Sequence, residues 1–236
     1  MNHDSIYTAD IHNNGFIFDD KVASVFADMI KRSVPGYAQS LQMVELLAHQ
    51  YAQHDSNLYD LGCSLGASTM ALKHGAAGKE CHIIAVDNST AMISRCKTIL
   101  NDETIDTLCQ DILETDIANA SVVVLNFVLQ FIAQDERLNL LKRIQAGLKP
   151  GGVLILSEKI AFPDAGENRR QIELHESFKR AQGYSDLEIS RKRTALEDVL
   201  VPETMDAHHQ QLQRAGFSAS HTWFQCFNFA SMIAIK

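Results

Sequence analysis

From Leu58 to Ser157 short apolar runs alternate with amphipathic stretches, and this alternation limits the fold more than any other feature of the chain. Leu58–Leu61, His82–Val86, Ile105–Cys109, Val122–Asn126 and Val153–Ser157 read as strands, with Ala67–His74, Thr90–Leu100 and Asp135–Gly147 as the helices between them. Val122–Asn126 is an apolar run of the kind expected where a strand is covered on both faces. The third of these helices should stop at Gly147, because Pro150-Gly151-Gly152 cannot continue it. Strands and helices in this order, joined by short connections, predict an α/β fold: a mostly parallel, doubly wound sheet with right-handed crossovers.

The flanks read differently. Helices are expected over Lys21–Arg32, where Val22, Val25, Phe26, Met29 and Ile30 recur at helical spacing, and over Ser40–Ala52. Val34-Pro35-Gly36-Tyr37 separates them. Beyond Pro163, Glu167–Gln182, Ser185–Leu200 and Thr204–Arg214 read as charged helices, and Ala219–Gln225 with Phe227–Ile235 as a terminal antiparallel hairpin. The expectation is one domain over residues 1–236, with helical additions at about 1–55 and 165–215.

Composition excludes several classes. A net charge of −8 argues against a nucleic-acid footprint, which needs a clustered basic surface. The longest apolar stretches, Ser121–Phe127 and Val153–Leu156, fall far short of the roughly 20 residues a membrane helix needs. The first ten residues, M-N-H-D-S-I-Y-T-A-D, lack the basic flank and apolar run of a secretory signal. The cysteines form no C-x-x-C pair and suit free thiols in a reducing cytoplasm. The histidines show no metal-binding spacing, so no metal is expected.

The first strand-to-helix turn is Asp60-Leu61-Gly62-Cys63-Ser64-Leu65-Gly66. Glycine there lets a ligand approach the backbone, and open α/β sheets bind ligands beyond their strand ends. A dinucleotide would want G-x-G-x-x-G and a pyrophosphate on the helix N-terminus. This loop has Gly62-x-Ser64-x-Gly66 instead, and Asp60 would repel a pyrophosphate while suiting an amino group. D-x-G-x-x-x-G resembles the first motif of class I S-adenosylmethionine-dependent enzymes. Asp87 ends the second strand, where a carboxylate can accept both ribose hydroxyls. Asp111-Ile112 follows the third strand, and Asn126 ends the fourth.

Each residue has a plainer reading when taken singly. Asp60 or Asp111 could cap a helix or form a turn, Ser64 could cap the first helix, and Asn126 could be a turn residue. Cys63, at a helix start, could be a reactive thiol or a small group packed against a ligand. Trp223, Phe224, Phe227 and Phe229 suit a core or dimer-contact strand better than a base-stacking platform.

Several longer stretches resemble one family, the carboxy-S-adenosyl-L-methionine synthases. They are Phe26–Tyr37 (F-A-D-M-I-K-R-S-V-P-G-Y), Tyr59–Ala67 (Y-D-L-G-C-S-L-G-A), Val86–Met92 (V-D-N-S-T-A-M), Val123–Phe131 (V-V-L-N-F-V-L-Q-F), Phe178–Arg193 (F-K-R-A-Q-G-Y-S-D-L-E-I-S-R-K-R) and Trp223–Phe229 (W-F-Q-C-F-N-F). The last two are more specific than the glycine loop. Leu65 and Ala67 vary within that loop, and residues 101–106 and 163–172 match poorly.

The resemblance implies a Rossmann-like class I methyltransferase fold and a homodimer that transfers no methyl group. It implies conversion of S-adenosyl-L-methionine and prephenate to carboxy-S-adenosyl-L-methionine, phenylpyruvate and water. The product would serve a separate enzyme that modifies the wobble uridine of transfer RNA. Ligand contacts carried over by motif position are Tyr37, Gly62, Cys63, Ser64, Asp87, Asn88, Asp111, Ile112, Asn126 and Arg193. An arginine about 5 Å from a sulfonium would repel it by about 3 kcal/mol at an effective dielectric of ~20. The same guanidinium would bind a carboxylate placed there. No protein base is nominated, because the hydroxide that prephenate expels could take the methyl proton. The helices of 20–55 and 165–215 are the available lid over a site that must exclude water. An ordinary S-adenosylmethionine methyltransferase and a non-catalytic S-adenosylmethionine-binding module are the rival readings.

Overall fold

The computed structural model of the chain describes residues 3–8, 17–197 and 199–236. Gly15 and most of the polar segment before Asp20 therefore lie outside the described residues. The elements are α1 (Asp20–Ser33), α2 (Tyr37–Tyr51), β1 (Asn57–Leu61), α3 (Ala67–Gly75), β2 (His82–Asp87), α4 (Thr90–Leu100), β3 (Ile105–Cys109), β4 (Ala120–Asn126), α5 (Gln134–Gly147), β5 (Leu148–Ala161), α6 (Ala165–Ala181), α7 (Asp186–Leu196), β6 (Glu203–Thr204), α8 (Met205–Ala215), β7 (Ala219–Cys226) and β8 (Phe229–Ile235).

Local chemistry places many of these boundaries. Asp19, Ser89, Asp164 and Thr204 each accept a backbone N–H from the first turn of α1, α4, α6 and α8. Ser185 and Glu188 form a reciprocal capping box on α7. Such caps contribute about 1 kcal/mol each by satisfying amides that the helix leaves unpaired.

The sheet runs β3-β2-β1-β4-β5-β8-β7, with β6 paired to the end of β5. Strands β1 to β5 are parallel, β8 is antiparallel to β5, and β7 is antiparallel to β8. Two apolar layers sandwich it. Leu58, Val122, Val124 and Ile155 pack with Val44, Ala48, Leu72 and Cys96 from α2, α3 and α4. Tyr59, Leu61, Val123, Leu125 and Leu156 pack on the other face with Leu140, Leu141, Ile144 and Leu212 from α5 and α8. Chain order reverses between β1 and β4, which creates a crevice beyond their C-terminal ends.

Four elements differ from their expected bounds. Strand β5 spans Leu148–Ala161 rather than only Val153–Ser157. Pro150-Gly151-Gly152 ends the helix but not the strand, because a register break between Ala120 and Val122 accommodates the extra residues. Helix α2 begins at Tyr37 rather than Ser40, started by Gly36 at φ +75°. A Cβ at Gly36 would lie 2.3 Å from the Phe224 ring. Helix α7 stops at Leu196 rather than Leu200, where Val199 and Leu200 donate back to the Leu196 carbonyl in a tight turn; Asp198 lies outside the described residues. Phe227, expected in the last strand, sits in the hairpin turn at φ +53°.

Helix α6 packs against α1 and α7, and side chains of α6 and α7 reach Ser33 at the end of α1. Arg32 Nε donates to the Gln182 carbonyl at 2.8 Å, and its guanidinium covers the Tyr184 ring at 3.9 Å. His175 Nε2 reaches the Ser33 carbonyl at 2.8 Å, and Lys192 Nζ donates to Ser33 Oγ at 2.9 Å. The end of α1 is thus the anchor for both later helices.

Candidate active site

The glycine loop closes upon itself. Gly62 and Cys63 donate their amides to the Val86 carbonyl at 2.7 and 2.9 Å. Ser64 donates to Asp87 Oδ2 at 2.9 Å, and Gly66 to the Cys63 carbonyl at 2.8 Å. A pyrophosphate needs free amides at such a turn, and here four are already committed. Gly62 has φ +82°, and a Cβ on it would meet Val128 Cγ2 at 2.4 Å. Only glycine fits, because neither the dihedral nor the space admits a side chain. Ser64 does not cap α3; that position belongs to Gly66, which provides no side-chain cap.

The first turn of α3 grips two strand ends at once. Thr69 Oγ1 donates to Asp60 Oδ2 at 2.6 Å, and Asn126 Nδ2 donates to Ser68 Oγ at 2.9 Å. Asp60 Oδ1 and Asn126 Oδ1 are buried with no hydrogen-bond partner among the described residues. Leaving a buried acceptor unpaired costs about 1–3 kcal/mol, so both oxygens are ready for a donor. Burial pushes the Asp60 carboxyl up to about 7, with the Thr69 hydroxyl opposing and the Asp87 charge adding to the shift. A positively charged N–H donor would relieve all of this. Tyr37 stands nearby: burial and the Asp60 charge both push its phenol up, and its ring centroid lies 6.5 Å from that of Phe127, the residue after Asn126.

Asp87 ends β2 opposite Cys109 of β3. Its two oxygens accept the amides of Ser64 and Ser89, each at 2.9 Å, and burial raises its pKa against those bonds. Each carboxylate oxygen has a second acceptor site, so capacity for ribose hydroxyls remains. Asn88 is exposed beside it. Asp111 forms the turn that its plainer reading anticipated, with Oδ1 accepting the Leu113 amide at 2.8 Å, and Ile112 is buried in the core. The neighbouring Cys96 thiol and then burial push the Cys63 thiol up, which suits a packed thiol and not a nucleophilic thiolate. Trp223 and Phe224 lie half-buried on the last strand of the sheet, β7.

Arg193 stands apart from this group. It lies on α7, its side chain is 63% exposed, and Nη1 donates to Glu176 Oε1 at 3.0 Å. It borders an open cleft of about 440 Å³ lined by Asn168, Arg169, Glu173 and Glu176 of α6.

Several residues of the same end of the sheet escaped the sequence reading. Glu158 is fully buried and accepts the amides of Val128, Leu129 and Gln130 at 2.8–3.2 Å, holding the short turn that follows Asn126. Lys159 of β5, His175 and Lys179 of α6 and Lys192 of α7 lie close enough for the three ammonium charges to act on the imidazole. The charged pair Glu158-Lys159, one residue beyond the apolar run Val153–Leu156, was the available signal. Among the described residues no group of three His, Cys, Asp or Glu could hold a metal.

A parallel sheet in this strand order with a terminal antiparallel pair, and an acidic residue opening the first glycine loop, define the class: this is the Rossmann-like fold of class I S-adenosylmethionine-dependent methyltransferases. Residues 58–152 match the family described as "Methyltransferase domain". An O-methyltransferase family protein from Burkholderia thailandensis shares the fold with a TM-score of 0.65 at 15% identity, over 93% of this chain and 60% of that one. Carboxy-S-adenosyl-L-methionine synthases from Trichlorobacter lovleyi and Geobacter metallireducens are 55% and 56% identical, each over 99% of this chain and 98% of theirs. The chain belongs to the carboxy-S-adenosyl-L-methionine synthase family.

Proposed function

We propose that the protein converts S-adenosyl-L-methionine and prephenate to carboxy-S-adenosyl-L-methionine, phenylpyruvate and water. The observation that carries this reading, beyond family membership, is the pair of unpaired buried acceptors Asp60 Oδ1 and Asn126 Oδ1 at the switch point. Asp60 Oδ1 suits the ammonium of a methionine moiety, Asn126 Oδ1 suits its cationic sulfonium end, and the Asp60 carboxylate would repel a phosphate.

Tyr37, Gly62, Cys63 and Ser64 surround that moiety in this reading. Asp87 and Asn88 take the ribose, and Asp111 and Ile112 the adenine. Asn126 lies toward the methyl group, and Arg193 receives the new carboxylate. The sulfonium makes the methyl carbon acidic, and its deprotonated form is a carbon nucleophile. Prephenate releases carbon dioxide and hydroxide as its ring becomes aromatic. The hydroxide takes the methyl proton and leaves as water, and the ylide carbon bonds to carbon dioxide. The protein's share is to hold these partners together and exclude water.

Residues 1–236 act as one unit, as a homodimer in the cytoplasm, and the product supplies the 5-oxyacetic acid modification of wobble uridine in transfer RNA. The test is to incubate the purified protein with both substrates and follow the nucleoside by mass spectrometry. A species heavier than S-adenosylmethionine by one carbon dioxide, with phenylpyruvate in equal amount, is expected. S-adenosylhomocysteine alone would mean an ordinary methyltransferase, and unchanged substrates would mean a binding module.

A further inference from the structure

We propose that Lys159 and Lys179 form an anion subsite beside the switch point, which holds the carboxylates of the second substrate, a dicarboxylate. The identity of that acid rests on the carboxyl-transfer reading above; the subsite itself rests on the cluster.

The geometry gathers the cations around two residues, Ser33 and Phe229. His175 and Lys179 are four residues apart on α6 and share one face. His175 reaches the Ser33 carbonyl, Lys192 reaches the Ser33 hydroxyl, and the His175 ring packs edge-on against Phe229 with centroids 4.8 Å apart. Lys159 lies directly across from Phe229 in the β5–β8 register. Lys179 and Lys192 are only 8% and 6% exposed.

Charge matching then singles out two of these groups. Arg32 is paired with Asp28 at 3.2 Å, and Arg193 with Glu176 at 3.0 Å. Lys192 has the Ser33 hydroxyl and the attraction of Asp4. Neither Lys159 Nζ nor Lys179 Nζ has a hydrogen bond or an ion pair among the described residues; Glu176, already bonded to Arg193 and Arg180, is the carboxylate that attracts both. Two unmatched ammoniums complement two carboxylates. Burial, then repulsion by Lys192 and Lys159, pulls Lys179 down to about 7, and burial pulls Lys159 below its ordinary range with Glu176 opposing, as expected where an anion is wanted. His175 is pulled down to about 3 and stays neutral, so it shapes the site without adding charge.

The cluster also lies where a second substrate must sit. Phe229 packs against Phe127 with centroids 5.8 Å apart, and Phe127 follows Asn126. Ser157, two residues before Lys159, is the register partner of Asn126. The ammoniums and the acceptors are therefore on the same edge of the sheet, joined by aromatic rings.

The test is kinetic. In Lys179→Met and Lys159→Met the KM for prephenate should rise about tenfold or more, the loss expected when one partner of a buried charge pair is removed. The Kd for S-adenosylmethionine should stay within about twofold. Lys179→Arg should restore most of the prephenate affinity. Prephenate binding should take up protons, read as a dependence of calorimetric enthalpy on buffer ionisation, and Lys179→Met should reduce that uptake. A prephenate KM unchanged in both folded Met variants would overturn the subsite. If Lys179→Met fails to fold, Lys159→Met decides by the same measurement. If the native protein makes no carboxylated product, the carboxyl-transfer reading fails, and the subsite is judged by prephenate's effect on the melting temperature. Stabilisation of the native protein but not of the Met variants supports it, and an equal response in all of them overturns it.

Discussion

The strand-end half of the site and its helical half present opposite chemistry. At Asp60, Asp87 and Asn126 the sheet offers buried oxygens, two of them unpaired. At Lys179 and Lys192 the helical half offers buried ammoniums, joined by half-buried Lys159 from the end of β5, and Lys159 and Lys179 are unmatched among the described residues. A parallel sheet fixes its strand ends by register, so the acceptors hardly depend on the helices that cover them. Lys179 and Lys192 depend instead on α6 and α7, which reach the end of α1 through His175 and Lys192 at Ser33. A cation belongs in the first half and an acid in the second.

The comparison can be broken most severely at the residue between the two halves. Glu158→Ala should cost about 3 kcal/mol or more, because three buried amides lose their acceptor. Urea denaturation measures this, and near-native stability would show that the turn after Asn126 is held by something else. Gly62→Ala should come next, at about 2 kcal/mol from the positive φ and the Val128 contact. It should weaken S-adenosylmethionine while leaving the lysine cluster intact, which calorimetry with each substrate separates.

Asp60→Asn should weaken S-adenosylmethionine by about 1–3 kcal/mol and leave the prephenate KM unchanged. A pH effect belongs to the same residue. Its folded pKa of about 7 lies above the unfolded value of about 3.9. The free protein is therefore fully stabilised by this group only below about 4, and loses that contribution as pH rises toward 7. A cationic ligand reverses the cost, so affinity should improve between pH 5.5 and 7. Asp87, Tyr37 and Cys63 are the titratable neighbours. The slope should vanish in Asp60→Asn, and a slope that persists would assign it to Asp87. The smallest effect is expected at Arg193. Its exposure argues for a loss of only about 1 kcal/mol of carboxy-S-adenosylmethionine affinity in Arg193→Ala, with S-adenosylmethionine unaffected. Equal losses for both ligands would remove its role in recognising the carboxylate.

The halves were unequally legible in the sequence. Asp60, Asp87 and Asn126 each end or nearly end a strand, so the alternating pattern located them, and the D-x-G-x-x-x-G spacing gave the ligand class. The unpaired state of their oxygens was not readable, because it depends on Ser68 and Thr69 reaching back from α3. The cation cluster escaped altogether. Lys179 and Lys192 sit among charged neighbours on helices whose polar composition suggests full solvation, yet both are buried, Lys192 by its tertiary contacts with Ser33 and Tyr184. The length of β5 was missed for the same reason, since pairing with β4 and β8 extends it past what its own residues signal.

Glu158 and Lys159 are consecutive on β5, and successive residues of a strand point to opposite faces. One carboxylate clamps the backbone next to Asn126, and the adjoining ammonium looks toward α6. The spacing between the place for a cation and the place for an acid is thereby set by a single peptide unit. Slipping that strand by one position would exchange the two side chains, so alignment along β5 acts as the gauge that keeps two unlike guests at a working distance.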